Sequence, residues 1–304
     1  RYISVTGVQT CALPILTLKT AQDTASNLND YELILIDDNS DVNVVLPKDV
    51  CGDNVKIIRN KNRLGVDRSR HVAAEAASGE MLLIIDGHSR FQPNWLNVVK
   101  YVKEDRFTAW NGVCLGLWDN EPEKPAAELP KYYGAYLETE KDNEIFEGKW
   151  MTKKRDDCRL SCFMGAVYLL RRDMFFKVGG LKSLKGGWGS SEPFLAAKLI
   201  RSGIDIKLLP SLEIAHVFRR STPYATPIWE ISYNKLRAIY ETIDDKQLLN
   251  KLVDKLCKTD SYFIQAKNKI MMDIKEIEAE KQKLSYVFIK PYSEILQQTK
   301  NILN

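Results

Sequence analysis

The sequence lacks several features that would place it in a specialised class of protein. It contains no internal repeat, no low-complexity tract and no apolar run long enough to span a bilayer. A formal net charge of +4 over 304 residues is mild and does not indicate a nucleic-acid partner. Six cysteines without paired spacing favour reduced thiols over a disulfide framework. We therefore expect a globular protein that is cytoplasmic or peripheral to a membrane.

Histidine is scarce, with 3 in the chain, yet two of the three fall in motifs that suit metal binding. Asp86 and His88 follow the apolar run 81–85, and His216 lies in a second block, 215–219. In an extended segment residues i and i+2 point to the same side, so Asp86 and His88 can converge on one ion. A carboxylate with imidazoles suits Mn²⁺ or a similar cation better than Ca²⁺. The sequence thus predicts a metal site formed by Asp86, His88 and His216.

Apolar runs alternate with helical patterns along most of the chain. Residues 31–36 and 81–85 are typical of buried strands, whereas residues 16–29 and 67–77 have helical spacing. Alternation at this spacing predicts the α/β class, with a mostly parallel, Rossmann-like sheet and helices on both faces. Strand ends in such folds are where ligands bind, which fits the position of Asp86.

Three further segments have a distinct composition. Residues 118–159 are polar and predict a long excursion over the active face, and the glycine-rich residues 179–191 predict a mobile loop. Helical spacing among many charges marks residues 244–304 as a C-terminal helical extension. The main domain is therefore predicted over residues 16–243.

The N-terminal segment does not resemble natural protein sequence. Residues 5–15 resemble the translation of a sequencing-library adaptor. We therefore expect residues 1–15 to be foreign, with the true N-terminus and the first strand of the sheet missing. The alternative is a genuine strand, since Ile3-Ser-Val5 favours β-structure.

Five blocks in a fixed order resemble the GT-A nucleotide-sugar glycosyltransferases. The likeness is to the polypeptide N-acetylgalactosaminyltransferases and their relatives near glycosyltransferase family 2. The blocks are Ile34-Leu-Ile-Asp-Asp-Asn-Ser40, Arg63-Leu-Gly-Val-Asp-Arg-Ser-Arg70, Asp86-Gly-His88, Trp188-Gly189 with Glu192, and Ala215-His-Val-Phe-Arg219 with Pro223-Tyr224.

The resemblance implies a divalent cation, Mn²⁺ or another, and a UDP-sugar donor, UDP-GalNAc or another UDP-hexose. Asp38 would accept a hydrogen bond from the uracil N3–H. The other residues that the resemblance assigns to the donor are Arg63, Arg219 and Tyr224 at the diphosphate nucleotide, with Gly87 and Gly165 close to the donor.

The implied activity is glycosyl transfer, with Glu192, Trp188 and Arg219 as the catalytic residues. Negative charge develops on the leaving UDP, and the planar guanidinium of Arg219 suits phosphate oxygens. Trp188 would close over the donor and exclude water. If the family mechanism applies, the anomeric configuration is retained. The alternative is an inverting reaction in which Glu192 deprotonates the acceptor.

Departures from the family pattern leave the substrates open. Ser191 and Glu192 replace a Glu-Asn pair, and Thr222 stands where the family has a histidine. Neither GalNAc as donor nor peptide as acceptor therefore follows. A nucleotidyltransferase or nucleotide-sugar hydrolase, or a non-catalytic sugar-binding or protein-binding module, remain alternatives. We interpret Arg68 and Arg70 as solvated or paired with Glu75, and Arg63 as the more functional arginine.

Overall fold

A computed structural model describes residues 3–8, 12–50, 52–118, 124–139, 141, 145–219 and 226–304, with the main chain alone at 3–8, 12 and 13. The strands are β1 Ile3–Val8, β2 Tyr31–Asp37, β3 Val55–Arg59, β4 Met81–Ile85, β5 Ser89–Phe91, β6 Thr108–Trp118, β7 Lys131–Tyr132, β8 Ala135–Glu138, β9 Glu147–Trp150, β10 Arg159–Leu160, β11 Val167–Arg171 and β12 Asp205–Phe218. The α-helices are α1 Ala12–Asp23, α2 Val66–Ala76, α3 Trp95–Val102, α4 Arg172–Lys177, α5 Ser191–Arg201, α6 Ile228–Thr242, α7 Lys246–Thr259, α8 Ser261–Met272, α9 Ile274–Ser285 and α10 Ser293–Leu303. Short 3₁₀ helices occur at Leu28–Asp30 and Ala126–Glu128.

The large sheet has the strand order β10-β12-β6-β11-β4-β1-β2-β3, with β5 beside β12 and β7 beside β6. Strands β3, β2, β1 and β4 are parallel, whereas β11 runs antiparallel between β4 and β6. Strands β2, β4 and β11 are buried along their whole length because both faces of the sheet are covered. The predicted α/β class with helices on both faces is confirmed. The long strands run mostly parallel, as predicted, and β11 is the antiparallel exception among them.

The N-terminal residues occupy the centre of the sheet. β1 lies between β2 and β4, in parallel register with both. Residues 3–8 satisfy the main-chain pairing at this position. That the natural first strand is missing stays a prediction. Helix α1 begins at Ala12, four residues before the predicted start. The foreign origin of residues 1–15 stays a prediction.

The segments that flank the sheet are largely structured. The predicted excursion, residues 118–159, supplies β7, the antiparallel β8–β9 hairpin and β10. The C-terminal extension is helical, as predicted, and its last helix is tied to the sheet layer by a hydrogen bond between the Ser161 and Thr299 hydroxyls (2.8 Å). Arg201 donates to the carbonyl of Lys290 (3.0 Å) and to Asp244 (2.6 Å). The boundary at residue 243 stays a prediction.

Within the described ranges, none of the helices combines the length and the apolarity that crossing a membrane would require.

Candidate functional site

The pairing of β5 with β12 brings the two histidine motifs together. β4 ends at Ile85, so Asp86 emerges at the carboxyl end of a buried strand. β5 begins three residues later, and Ser89 lies opposite His216 in antiparallel register. The Val217 N–H donates to the carbonyl of His88 (2.9 Å), which fixes the turn against β12. Residues 130 positions apart in the chain thereby share one site.

The geometry of the three side chains fits a divalent cation. One ligand atom from each of Asp86, His88 and His216 lies within 4.8 Å of the others. The two imidazole rings are 4.6 Å apart at their centroids, and the Nδ1 atom of each is buried with no hydrogen-bond partner among the residues that the structure describes. One carboxylate and two imidazoles form a ligand set that suits Mn²⁺ and similar cations. The residues present therefore fit such an ion.

The protonation states in the cluster also favour metal binding. Burial lowers the pKa of His88 to about 4, against the opposing charge of Asp86, so the ring is neutral near pH 7. Burial disfavours ionised Asp86, but the hydrogen bond with His216 (3.0 Å) and the charge of Arg70 outweigh it. Together they hold the pKa of Asp86 well below its usual range. A neutral imidazole and an ionised carboxylate are the forms that bind a metal.

Arg70 lies between the cluster and Glu192. Its side chain is 5% exposed, and it donates to Asp86 Oδ1 (2.8 Å) and to Glu192 Oε1 (2.6 Å). The Ser191 hydroxyl donates to the other Glu192 oxygen (3.0 Å). Gly165 leaves room for this carboxylate, since a Cβ there would come within 2.8 Å of Glu192 Oε1. The interpretation of Arg70 as solvated or paired with Glu75 is therefore wrong: the helix turns it inward, and two half-buried carboxylates hold it there.

These residues line a cleft of about 620 Å³. Its lining includes seven of the predicted site residues: Asp86, His88, Gly165, Trp188, Glu192, His216 and Arg219. Arg219 follows β12 directly, three residues after His216, so the strand carries a metal-ligand candidate and a cation into the same cleft. Trp188 stands at the rim with 54% of its surface exposed.

One wall of the cleft comes from the excursion, which was predicted to lie over the active face but from which no site residue was predicted. Phe146, Glu147 and Trp150 line the cleft from β9 and the turn before it. Trp150 packs against Phe218, with ring centroids 5.6 Å apart. Lys235 of α6 also lines the cleft and forms an ion pair with Glu147. The aromatic residues within this otherwise polar segment were the sequence pattern that could have predicted the wall.

Helix α6 holds the glycine-rich loop that carries Trp188. Asn234 accepts from the Lys185 amide (2.8 Å) and donates to the Lys185 carbonyl (2.7 Å). Glu230 accepts from the Gly187 amide (3.1 Å). The predicted loop is present, but these contacts give it more anchoring than its glycine content indicated.

The same loop meets the Arg63–Arg70 block without side chains between them. The Val66 amide donates to the Gly187 carbonyl (2.9 Å), and Gly65 has a φ of 84°. A Cβ at residue 65 would lie 1.5 Å from the carbonyl oxygen of Gly186. Glycine is therefore required at this position both by conformation and by space.

Three further predicted donor residues, Asp38, Arg63 and Gly87, do not line the cleft. Asp38 is half-buried and accepts from the Leu64 and Gly65 amides (both 2.8 Å), so its carboxylate orders that loop. Arg63 is exposed, and Gly87 is buried in the turn after β4. Their roles toward a donor stay predictions. Tyr224, like Thr222, lies outside the described residues.

Comparison with known proteins finds similar proteins among the glycosyltransferases. Residues 16–165 match the family model "Glycosyl transferase family 2". The chain is 25% identical over 223 residues to "Inactive polypeptide N-acetylgalactosaminyltransferase-like protein 5" of Macaca fascicularis, covering 70% of this chain and 50% of that protein. It is 25% identical over 235 residues to polypeptide N-acetylgalactosaminyltransferase 11 of Xenopus tropicalis, covering 71% and 38%. The chain thus spans half or less of these relatives.

Solved structures show the same fold. A crystal structure of GalNAc-T7 with UDP, GalNAc and Mn²⁺ superposes with a TM-score of 0.57 at 17% identity, over 78% of this chain and 48% of that one. S. aureus TarS 1–349 in complex with UDP-GlcNAc gives a TM-score of 0.53 at 13% identity, over 84% and 72%. The fold is that of the GT-A glycosyltransferases. The chain resembles the polypeptide N-acetylgalactosaminyltransferases in particular, which confirms the likeness inferred from its motifs.

Proposed function

We propose that the chain is a metal-dependent glycosyltransferase that moves a sugar from a UDP-sugar to an acceptor, with retention of anomeric configuration. The observation that carries the proposal is the convergence of Asp86, His88 and His216 in a cleft that also holds Glu192 and Arg219. UDP-GalNAc or another UDP-hexose is the proposed donor, because the relatives are named for GalNAc transfer and one solved neighbour holds UDP, GalNAc and Mn²⁺.

Asp86, His88 and His216 would hold the divalent cation, and Mn²⁺ is the proposed one. When bound, such an ion acts as a Lewis acid that stabilises charge developing on the leaving diphosphate. Arg219 lines the same cleft and would contact phosphate oxygens through its planar guanidinium. Trp188, half-exposed at the rim, would cover the donor and exclude water from the reacting centre.

The surroundings of Glu192 support retention over inversion. Each of its carboxylate oxygens already accepts a hydrogen bond, one from Arg70 and one from Ser191. A general base must approach the acceptor hydroxyl closely enough to take its proton. A carboxylate anchored at both oxygens is better suited to accepting hydrogen bonds from sugar hydroxyls. An inverting reaction with Glu192 as base is the outcome that product stereochemistry would reveal.

UDP binding measured by calorimetry, with and without Mn²⁺, tests the donor site. We expect binding in Mn²⁺ that is lost in EDTA and in His216→Ala, while the Asp205→Asn control behaves as wild type. Asp205 is half-exposed at the opposite end of β12 from His216. Binding that is equal in Mn²⁺ and EDTA would contradict metal dependence.

Transfer is tested by incubating the protein with UDP-hexoses and an acceptor panel and measuring UDP release and the anomeric configuration of any product by NMR. Retained products support the proposal, and inverted products assign Glu192 to base catalysis. Metal-dependent UDP binding without any turnover would favour a non-catalytic module, a role favoured by the name of one relative, which is called inactive. Release of a nucleoside monophosphate would indicate nucleotidyl transfer or pyrophosphate hydrolysis instead.

A further inference from the structure

Arg70 lies at the floor of the cleft, although the sequence analysis assigned only Arg63 of the Arg63–Arg70 block to the nucleotide. It lies on α2 and is buried, and its guanidinium lines the cleft. One terminal nitrogen donates to Asp86 and the other to Glu192. Charge-assisted hydrogen bonds from a planar guanidinium fix both distance and direction. Arg70 therefore links a proposed metal ligand to the proposed sugar-contacting carboxylate.

The two oxygens of Asp86 have different environments. Oδ1 accepts from Arg70 (2.8 Å), and Oδ2 lies 3.0 Å from His216 Nε2, on the side of the histidine pair. The arginine thus orients the carboxylate so that one oxygen remains toward the cation position. Groups that hydrogen-bond to a metal ligand in this manner commonly change metal affinity by about 10- to 100-fold when they are removed.

Glu192 is fixed by the other arm of the same guanidinium. Its Oε1 accepts from Arg70 at 2.6 Å, and the Arg70 nitrogen that donates there is also 3.3 Å from the Ser191 hydroxyl. The contact is made at the N-terminal end of α5, next to the loop with Trp188. A displacement of Arg70 would therefore move Asp86 and Glu192 together.

We propose that Arg70 is a positioning residue that holds Asp86 and Glu192 in one arrangement, so that cation binding and recognition of the donor sugar are coupled. This inference rests on the proposed function, because it assigns Asp86 to the cation and Glu192 to the sugar. A lysine cannot reproduce the arrangement, since a single ammonium lacks the two-armed, planar geometry that reaches both carboxylates.

The test measures Mn²⁺ affinity by electron paramagnetic resonance, and the affinities for UDP and UDP-GalNAc in saturating Mn²⁺ by calorimetry. For Arg70→Lys we expect Mn²⁺ affinity to fall by about 10-fold. We also expect the ratio of UDP-GalNAc to UDP affinity to approach that of Glu192→Gln. Arg68→Lys is the matched control, because Arg68 is exposed on the same helix, and it should match wild type in both measurements.

A double-mutant cycle separates positioning from a general effect of charge. In an Asp86→Asn background, Arg70→Lys should cause no further loss of Mn²⁺ affinity, because the oriented ligand is already gone. A further full 10-fold loss there would overturn the proposal. So would an Arg70→Lys protein that keeps both the wild-type Mn²⁺ affinity and the wild-type affinity ratio.

Thermal unfolding reports whether each variant folds. If Arg70→Lys does not fold, the charge-balanced Arg70→Met/Glu192→Gln protein is compared with Glu192→Gln alone, and the same loss of about 10-fold in Mn²⁺ affinity is expected. Equal affinities would overturn the proposal. If the wild type itself binds neither Mn²⁺ nor UDP, the proposed function fails. If the wild type binds both and the Arg70 variants bind them equally well, the function stands and this inference fails.

Discussion

Two buried arginines, Arg70 and Arg237, form ion pairs with very different surroundings. Arg70 pairs with Asp86 and Glu192, and both carboxylates line the cleft. Arg237 on α6 pairs with Glu241 (2.6 Å) and Glu276 (2.9 Å), away from the lining of the cleft. Both arginines are almost completely inaccessible to solvent.

The difference lies in the carboxylates rather than in the arginines. Around Arg70 the acids outnumber the cation, because Asp86 and Glu192 share a single guanidinium. Asp67 of the same helix is also buried there and adds negative charge above about pH 7. Around Arg237 the acids are balanced by a second buried cation, Lys198, which carries a favourable interaction with Glu241. A surplus of negative charge that opens into a cleft can serve a metal ion, whereas a charge-balanced network away from the cleft serves folding.

The largest expected effect is on the stability that the charge-balanced network around Arg237 contributes. Arg237→Gln removes the arginine that is paired with buried Glu241 and should reduce the free energy of unfolding by about 3 kcal/mol. Urea denaturation measures the change. Lys267→Gln is the control, because its 3.4 Å pair with Asp254 is exposed and should contribute less than about 1 kcal/mol. If folded Arg237→Gln lost Mn²⁺ affinity, the network around Arg237 would also serve metal binding, and the contrast with the network around Arg70 would be wrong.

The next-largest expected effect is on ligand binding at the network around Arg70. Asp86→Asn removes the anionic ligand, so Mn²⁺-dependent UDP binding should weaken by about 100-fold or more, beyond the loss typical of an outer-shell partner. Calorimetry in Mn²⁺ measures it, with Asp205→Asn as the matched substitution. The variant should remain as stable as wild type or nearly so. Unfolding of Asp86→Asn, with binding unchanged in the folded fraction, would make this network structural as well.

Asp67 gives a pH-dependent test of the charge surplus. Burial and the charge of Glu192 raise its pKa to about 7, partly offset by Arg70 and Ser191. Between about pH 4 and pH 7 the folded protein therefore holds a proton that the unfolded chain has released, and stability falls as the pH rises through this window. Asp67→Asn cannot ionise, so it should gain on the order of 2 kcal/mol over wild type at about pH 8 relative to about pH 5. Urea denaturation at the two pH values measures the gain, and an equal difference at both would remove Asp67 from the surplus.

The smallest expected effect is at the rim. Trp188 is 54% exposed, so Trp188→Ala should alter the free energy of unfolding by no more than about 0.5 kcal/mol. Transfer should slow by about 10-fold, and a larger share of donor should be hydrolysed, because water reaches the reacting centre. The ratio of transfer to hydrolysis of the UDP-sugar measures this. An unchanged ratio would show that the rim does not exclude water.

The metal-ligand candidates could be predicted because Asp86 and His88 follow a strongly apolar strand and His216 lies near the end of another. The ends of such strands meet at one edge of the sheet. Arg70 was missed although the information was present. It lies three, four and seven residues before Ala73, Ala74 and Ala77, on the face of α2 that the alanine pattern already turned inward. The sequence analysis gave more weight to the charge of Arg70 than to its position on the helix.

Other features depend on contacts that no local pattern encodes. The apolar run at β11 predicts a strand but not its direction, so the mixed sheet could not be foreseen. The clamp of Asp38 on the Leu64 and Gly65 amides requires a loop conformation, not a residue type. Likewise, the wall formed by Glu147 and Trp150 comes from a polar segment whose fold is set by the sheet beneath it.

The contact of Gly65 with Gly186 has a consequence for how this sequence can vary. Two stretches of main chain, 121 positions apart, touch where even a methyl group would overlap a carbonyl oxygen. In a library of all single substitutions, residue 65 should behave as an almost invariant position, although it is neither charged nor reactive. Variation in the neighbouring loop would be confined to changes that keep its backbone in place, so the two segments that carry Arg70 and Trp188 are constrained to diverge together.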